Sequence, residues 1–145
     1  MVTRGNVREI LLHGSSDESF DSSVGMARRL AESFGAHLHV VYTIEEPLSA
    51  GWTAEMSAEK LPELHQAMEE EARERLARLI SLEDQDRLGV QIALRTGGAA
   101  DELVRYTEDH AIDLAIVQSR ASAGEDGDVA RALLDRGECA VLVLR

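Results

Sequence analysis

The sequence is poor in cysteine, proline and aromatic residues, and each shortage excludes a class of protein. Cys139 is the only cysteine among 145 residues, so no disulfide can form within the chain, which is typical of a reducing compartment. Only 3% of the residues are aromatic, and Trp52 is the single tryptophan, so the core must be aliphatic. With two prolines, no repeat and no linker-like tract, the length predicts one domain over residues 1–145.

Positive charge is scarce as well. The 15 Lys and Arg are outnumbered by 27 Asp and Glu, and the net charge is −12. This balance argues against nucleic acid, whose binding depends on basic side chains, and against an anionic membrane surface. No apolar run approaches membrane-spanning length, and the polar start Met1 to Asn6 predicts no signal peptide. We therefore expect a cytoplasmic protein whose acidic surface favours solubility.

Short apolar runs alternate with amphipathic segments along the whole chain. Strands are predicted at 7–13, 37–43, 89–94, 112–117 and 140–144, helices at 20–34, 59–81, 99–110 and 129–135, and a loop at 45–57. Strands that alternate with helices predict an α/β fold with a parallel sheet and helices on both faces. Ligands of such sheets bind beyond the carboxyl ends of strands, so the segment 118–128 is the first candidate functional segment.

Three stretches, taken together in their order and spacing, resemble the universal stress protein family. The first is Ile10-Leu-Leu with a Gly/Ser turn and a helix ending in Phe34-Gly35-Ala36. The others are Arg95-Thr-Gly-Gly-Ala-Ala-Asp-Glu-Leu-Val104, and Asp113-Leu-Ala-Ile-Val-Gln-Ser-Arg120 followed by Cys139-Ala-Val-Leu-Val-Leu. The resemblance implies an open five-stranded parallel sheet in the order 3-2-1-4-5, a Rossmann-like fold of the adenine nucleotide alpha hydrolase type.

Many members of that family bind ATP, and the resemblance implies where a nucleotide would lie. The family's acidic residue at the end of the first strand is replaced here by Gly14 or Ser15. In its Gly-x-x-Gly-x9-Gly-Ser loop, the first two glycines are replaced by Gln118 and Ala121, and the loop is about four residues shorter. By resemblance the base and ribose would meet Gly14, Ser15 and Ser16, the adenine Val41, and the phosphates Gln118, Ser119, Arg120, Gly124, Gly127 and Asp128.

The same loop carries three carboxylates, on Glu125, Asp126 and Asp128, where a polyphosphate would lie. At about 4 Å, two like charges repel by about 4 kcal/mol at an effective dielectric constant near 20. Arg120 offsets part of this repulsion, and a divalent cation such as Mg²⁺ could bridge carboxylates and phosphates. We therefore favour a protein without typical ATP binding, and keep a nucleotide sensor of ATP or AMP type, with a variant phosphate loop, as the alternative.

Histidine and cysteine supply the remaining candidates for chemistry. His13-Gly14-Ser15 is similar to the His-Gly-Ser turn of small chelatases, in which the histidine binds metal, but the second half of the chain does not resemble a chelatase. His37 and His39 share one strand face and are interpreted as partly exposed, because a metal site usually needs a third ligand. Cys139 is interpreted as a small buried hydrophobe rather than a reactive thiol. We therefore expect no enzymatic activity and no metal site, with a chelatase-like His13 as the remote alternative.

The predicted fifth strand is apolar and would lie at an edge of the sheet. An uncovered apolar edge favours pairing with another strand. The resemblance implies that this strand pairs with its twofold mate in a homodimer, through Ala140, Val141, Leu142, Val143 and Leu144. The resemblance therefore implies a stress-response or regulatory protein that acts as a dimer and binds an unidentified protein partner.

Overall fold

The chain forms an open parallel sheet, seen in a computed structural model that describes residues 6–15, 17–44, 51–119 and 129–145. Within these residues the sheet has five strands in the order β3-β2-β1-β4-β5, and every neighbouring pair is parallel. This confirms the predicted fold and strand order. The strands are β1 (Glu9–His13), β2 (His37–Ile44), β3 (Gln91–Thr96), β4 (Leu114–Gln118) and β5 (Ala140–Leu144).

Helices cover both faces of the sheet, as predicted. The described residues contain α1 (Phe20–Phe34), α2 (Ala54–Leu79), α3 (Leu82–Arg87), α4 (Ala99–Asp109) and α5 (Val129–Arg136). The first two pack on one face and α4 and α5 on the other. Among the described residues, no helix combines the length and the apolar character that crossing a membrane requires.

Two aliphatic cores lie on opposite faces of the sheet, and adjacent residues of each central strand contribute to different cores. Ile10 packs with Val24 and Leu76 on the side of α1 and α2, whereas Leu11 packs with Leu103 on the side of α4. All five side chains are almost completely buried. Alternation of this kind explains why the central strands read as continuous apolar runs in the sequence.

Two helices differ from the prediction. Helix α2 begins at Ala54 instead of residue 59, within the predicted loop at 45–57, because the Thr53 hydroxyl accepts a hydrogen bond from Met56 N (3.1 Å) and caps the helix. The short helix α3 was not predicted at all. It follows Ser81, whose hydroxyl accepts from Asp84 N (3.1 Å), and none of its six residues, all of them described, is buried. Apolar periodicity therefore had nothing to detect there.

The amino ends of the two central strands are joined by Asp113. Its carboxylate Oδ2 accepts hydrogen bonds from Arg8 N (2.8 Å) and Glu9 N (3.0 Å), and its own N–H donates to the Glu9 carbonyl (2.8 Å). Hydrogen bonds to an ionised group are about twice as strong as neutral ones. The aspartate that begins the resembling stretch Asp113 to Arg120 therefore has a structural role, at the end of the sheet opposite the candidate site.

Candidate functional site at the carboxyl ends of β1 and β4

The carboxyl ends of β1 and β4 lie side by side at the centre of the sheet, with Leu12 opposite Ile116. The chain leaves β1 towards β2 on one side and leaves β4 towards β5 on the other. Such a switch in connection opens a crevice in which α/β proteins bind ligands. We call this region, formed by residues 13–15 and 118–119 with their neighbours, the mouth.

The side chain of Gln118 spans the mouth. It is only 8% exposed, and its Nε2 donates to the Ser23 hydroxyl of α1 (2.7 Å) and, more weakly, to the Ser19 hydroxyl (3.4 Å). At a position where the resemblance implies glycine, a polar side chain therefore connects the end of β4 with α1. Space that a glycine would leave open next to the backbone is filled by the amide.

An aromatic ring covers the end of β1. Gly14 N donates to the Val41 carbonyl (2.7 Å), and a Cβ atom at Gly14 would lie 2.6 Å from the Cδ1 and Cε1 atoms of Tyr42. The Tyr42 ring packs in turn on Phe20, with 6.1 Å between ring centroids and a tilt of 60°. Glycine is therefore required at position 14 by the close approach of a ring, whatever the ligand of the mouth.

Arg75 of α2 holds the turn between β1 and α1. Its Nη1 donates to the Ser15 carbonyl (3.2 Å), its Nη2 to the Asp17 carbonyl (2.6 Å) and its Nε to the Asp21 carboxylate (3.0 Å). The guanidinium also lies over the Phe20 ring, 5.3 Å from its centroid. The sequence analysis missed this residue, although its position between the buried Ala72 and Leu76 is a signal that could have indicated an inward-facing side chain.

Two histidines at the carboxyl ends of the strands are bonded to threonines, one at the mouth and one at the end of β3. The Nε2 atom of His13 lies 3.2 Å from Thr43 Oγ1, and the His13 side chain is buried. The corresponding atom of His65 lies 2.9 Å from Thr96 Oγ1. Within the part of the chain that the structure describes, no group of three or more His, Cys, Asp or Glu side chains could hold a metal ion.

The predicted nucleotide-binding residues fall into three groups. Gly14, Ser15, Gln118 and Ser119 are brought together at the mouth. Val41 is completely buried in the core beside α4, and its carbonyl accepts the hydrogen bond from Gly14. The remaining predicted contacts lie outside the described residues: Ser16, Arg120, Gly124, Gly127 and Asp128.

Cys139 lies at the amino end of β5, away from the mouth. It is only partly buried, and it lines an open cleft of about 180 Å³ together with Thr107, Glu108, Ala111, Ile112, Asp113 and Glu138. Burial raises the pKa of the Cys139 thiol. A raised pKa keeps the thiol protonated at neutral pH, which fits a packed side chain better than a nucleophile.

We therefore expect native Cys139 to react with iodoacetamide about tenfold more slowly than in the urea-unfolded chain, because both the thiolate population and access are reduced. The rate is measured by mass spectrometry at pH 7.5 with and without urea. Equal rates in the two states would show an accessible thiol and contradict the interpretation of Cys139 as a buried hydrophobe.

The fold and the mouth define an open α/β protein of the kind that binds ligands at a switch point. A model described as "Universal stress protein family" matches residues 8–145, and the chain belongs to this family. Universal stress protein MJ0531 of Methanocaldococcus jannaschii is 25% identical over 123 residues, which cover 82% of this chain and 71% of that protein.

Solved structures share the fold at low sequence identity. The universal stress protein UspA from Lactobacillus plantarum superimposes with a TM-score of 0.72 at 17% identity, covering 98% of this chain and 100% of that one. A universal stress protein in complex with cAMP gives 0.61 at 15% identity, covering 97% and 98%. The Archaeoglobus fulgidus protein in complex with dAMP gives 0.58 at 14% identity, covering 97% and 99%.

Proposed function

We propose that this chain is a non-enzymatic regulatory protein of the stress response that does not bind ATP in the manner typical of the family. In this proposal it is folded as one domain over residues 1–145, acts in the cytoplasm as a homodimer and binds a protein partner. The observation that carries the proposal is the side chain of Gln118. Glycines in a phosphate-binding loop let the backbone approach the phosphates. Here the Gln118 amide is bonded to Ser23 instead and fills that space. The Tyr42 ring against Gly14 adds a second filled position in the same mouth.

A second candidate function is the binding of a nucleotide with a single phosphate. Two solved universal stress proteins of this fold are complexes with cAMP and dAMP, each of which carries one phosphate. A single phosphate brings less negative charge than ATP to the loop that contains Glu125, Asp126 and Asp128, so the repulsion is smaller. In this candidate function Gly14, Ser15, Gln118 and Ser119 contact the nucleotide. If the ligand were ATP instead, Mg²⁺ would be needed to bridge the carboxylates of the loop and the phosphates.

Small molecules released from the freshly purified, denatured protein distinguish the two functions. We expect chromatography with mass spectrometry to find no nucleotide, and thermal unfolding to be unchanged by Mg-ATP, AMP or cAMP. A co-purifying nucleotide, or a rise in Tm with one of them, would replace the first proposal by the second. The paired substitution Gln118→Gly, Ala121→Gly is the matched variant. If this variant binds ATP and the wild type does not, the replacement of the two loop glycines is the reason that the wild type does not bind ATP.

The homodimer is proposed from the position of β5. This strand pairs only with β4 among the described strands, and Val143 is 44% exposed although it is apolar. An unpaired apolar edge is a template for a second copy. Size-exclusion chromatography with light scattering at micromolar concentration is expected to give the mass of two chains, and a monomer would contradict the proposal.

A further inference from the structure

A second polar cluster lies at the amino ends of β1 and β2, away from the mouth. The two oxygens of Glu9 divide between two histidines: Oε1 lies 3.1 Å from His37 Nδ1, and Oε2 lies 3.1 Å from His39 Nε2. The sequence analysis placed both histidines on one face correctly, but its prediction of partial exposure was wrong for His39. His37 is exposed, whereas His39 is only 3% exposed, because β2 is an interior strand covered by α4.

His39 also contacts α4. Its Nδ1 lies 2.7 Å from the hydroxyl of Tyr106, in a buried contact between residues 67 positions apart in the chain. The Tyr106 ring is stacked on His110, with 3.9 Å between centroids and an angle of 13°, and Arg95 lies over it at 5.1 Å. The chain of contacts Glu9–His39–Tyr106 therefore joins β1, β2 and α4, and we refer to it as the relay.

The partners of His39 determine where its proton lies. An ionised carboxylate only accepts hydrogen bonds, so the Nε2 atom that faces Glu9 must carry the proton. The Nδ1 atom then accepts the hydrogen bond that the Tyr106 hydroxyl donates. The neutral ring satisfies both contacts. A second proton on Nδ1 would point at the Tyr106 hydroxyl, which would have to turn its own hydrogen away and lose its acceptor.

The surroundings of His39 act on its pKa in opposite directions. Burial is the main cause that lowers the pKa of His39, while the hydrogen bond and charge of Glu9 raise it, and His110 and His37 lower it further. Arg95 adds positive charge on the far side of Tyr106. The nearby carboxylate of Asp113 is bonded to the backbone N–H groups of Arg8 and Glu9 and does not contact the ring. Burial and the hydrogen bond with Tyr106 therefore both favour the neutral form of the His39 ring.

We propose that the relay is an acid-sensitive latch that holds α4 on the sheet while His39 is neutral. A proton on Nδ1 reverses the hydrogen bond to Tyr106, leaves the hydroxyl hydrogen without its acceptor and places a positive charge in this buried contact, and so loosens α4. The unfolded chain has a histidine pKa of about 6.5. Because the folded value is lower, the unfolded or opened chain binds more protons below that pH. The stability conferred by the relay is complete above about pH 6.5 and is lost as the pH falls through the lowered pKa.

Hydrogen exchange of the full chain tests the latch between pH 7.5 and 5. One proton changes an opening constant by up to about tenfold per pH unit, so the protection factors of α4 in the wild type are expected to fall by up to that amount below about pH 6.5. The neutral His39→Gln variant is expected to open more readily than the wild type at pH 7.5 and to lack this slope. An α4 protection that does not change with pH in the wild type, or an equal slope in His39→Gln, would overturn the proposal.

The His65→Gln variant controls for the loss of a histidine as such, because His65 is bonded to Thr96 at the other end of the sheet. If it removed the slope as fully as His39→Gln, the relay would not be the sensor. Nitrogen-15 shifts of histidine-labelled wild type give a readout that needs no variant to fold. We expect His39 to be neutral with the proton on Nε2 at pH 7, and a charged ring or an Nδ1–H tautomer would contradict the latch.

Discussion

Replacing Val143 by proline is expected to convert the proposed dimer into a monomer. Ala140 N donates to the Asp113 carbonyl of the neighbouring chain segment (2.9 Å), and Ala140 lies opposite Leu114 of β4. Because N–H groups alternate in direction along a strand, those of Leu142 and Leu144 face β4, while those of Val141 and Val143 face the open edge.

Proline at position 143 removes an outward N–H and leaves the bonds to β4 intact, which is tolerated at an edge. If β5 pairs with β5 of a second copy about a twofold axis, the substitution is present on both sides of the interface and its effect is doubled. We expect the dissociation constant to rise about 100-fold or more, which corresponds to about 2.7 kcal/mol. Light scattering across a dilution series measures this change.

Val143→Thr is the matched control, because threonine keeps both the N–H group and the β-branched shape. We expect this variant to remain a dimer at concentrations where Val143→Pro is a monomer. Circular dichroism is the check that both variants are folded. A Val143→Pro variant that is folded and still dimeric would place the interface elsewhere and contradict pairing through β5.

Gly14→Ala is expected to destabilise the protein by about 1–3 kcal/mol, which is the usual cost of inserting a methyl group into filled space. The added Cβ would lie 2.6 Å from two ring atoms of Tyr42. That ring cannot easily move aside, because it packs on Phe20, and Arg75 holds the turn that follows Gly14. Urea unfolding monitored by circular dichroism measures the change in the free energy of unfolding.

Two variants make this result specific to the ring. Gly25→Ala lies in α1 with open space around the new Cβ atom, so it is expected to be neutral or to stabilise by up to about 1 kcal/mol. The double substitution Gly14→Ala, Tyr42→Leu is expected to recover part of the loss, since the smaller side chain makes room. Additive effects of the two substitutions would show that the ring does not restrict position 14.

Local patterns were enough to predict most of the elements and the parallel sheet, whereas the strand order came from the resemblance to the family. The bounds of β5 were correct. The predicted starts of β1, β3 and β4 were each two residues early, because the pattern includes the residues that lead into a strand. The start of α2 and the whole of α3 were missed for another reason. Both helices follow a residue whose hydroxyl caps the helix, Thr53 for α2 and Ser81 for α3. These capping residues are visible in the sequence, but no row of apolar residues follows directly to indicate that a helix begins there.

The candidate site could be predicted only where it depends on strand ends. Gly14 and Gln118 were placed together correctly, because parallel neighbours bring their carboxyl ends to one place. Their neighbours could not be predicted in the same way. Arg75 contacts Ser15 across 60 positions of the chain, a partner that is set by how α2 packs on the sheet. The burial of His39 likewise depends on the helix that covers β2, and a two-residue spacing in the sequence carries no information about it.

The scarcity of aromatic residues has a practical consequence for spectroscopy. The chain has two tyrosines and one tryptophan: Tyr42 lies at the mouth, Tyr106 in the relay, and Trp52 two residues ahead of α2. Tryptophan emission therefore reports on one short segment, and Tyr42→Phe and Tyr106→Phe difference spectra separate the signal of the mouth from that of the relay. Optical titrations of this protein can thus be assigned to single positions without any attached dye.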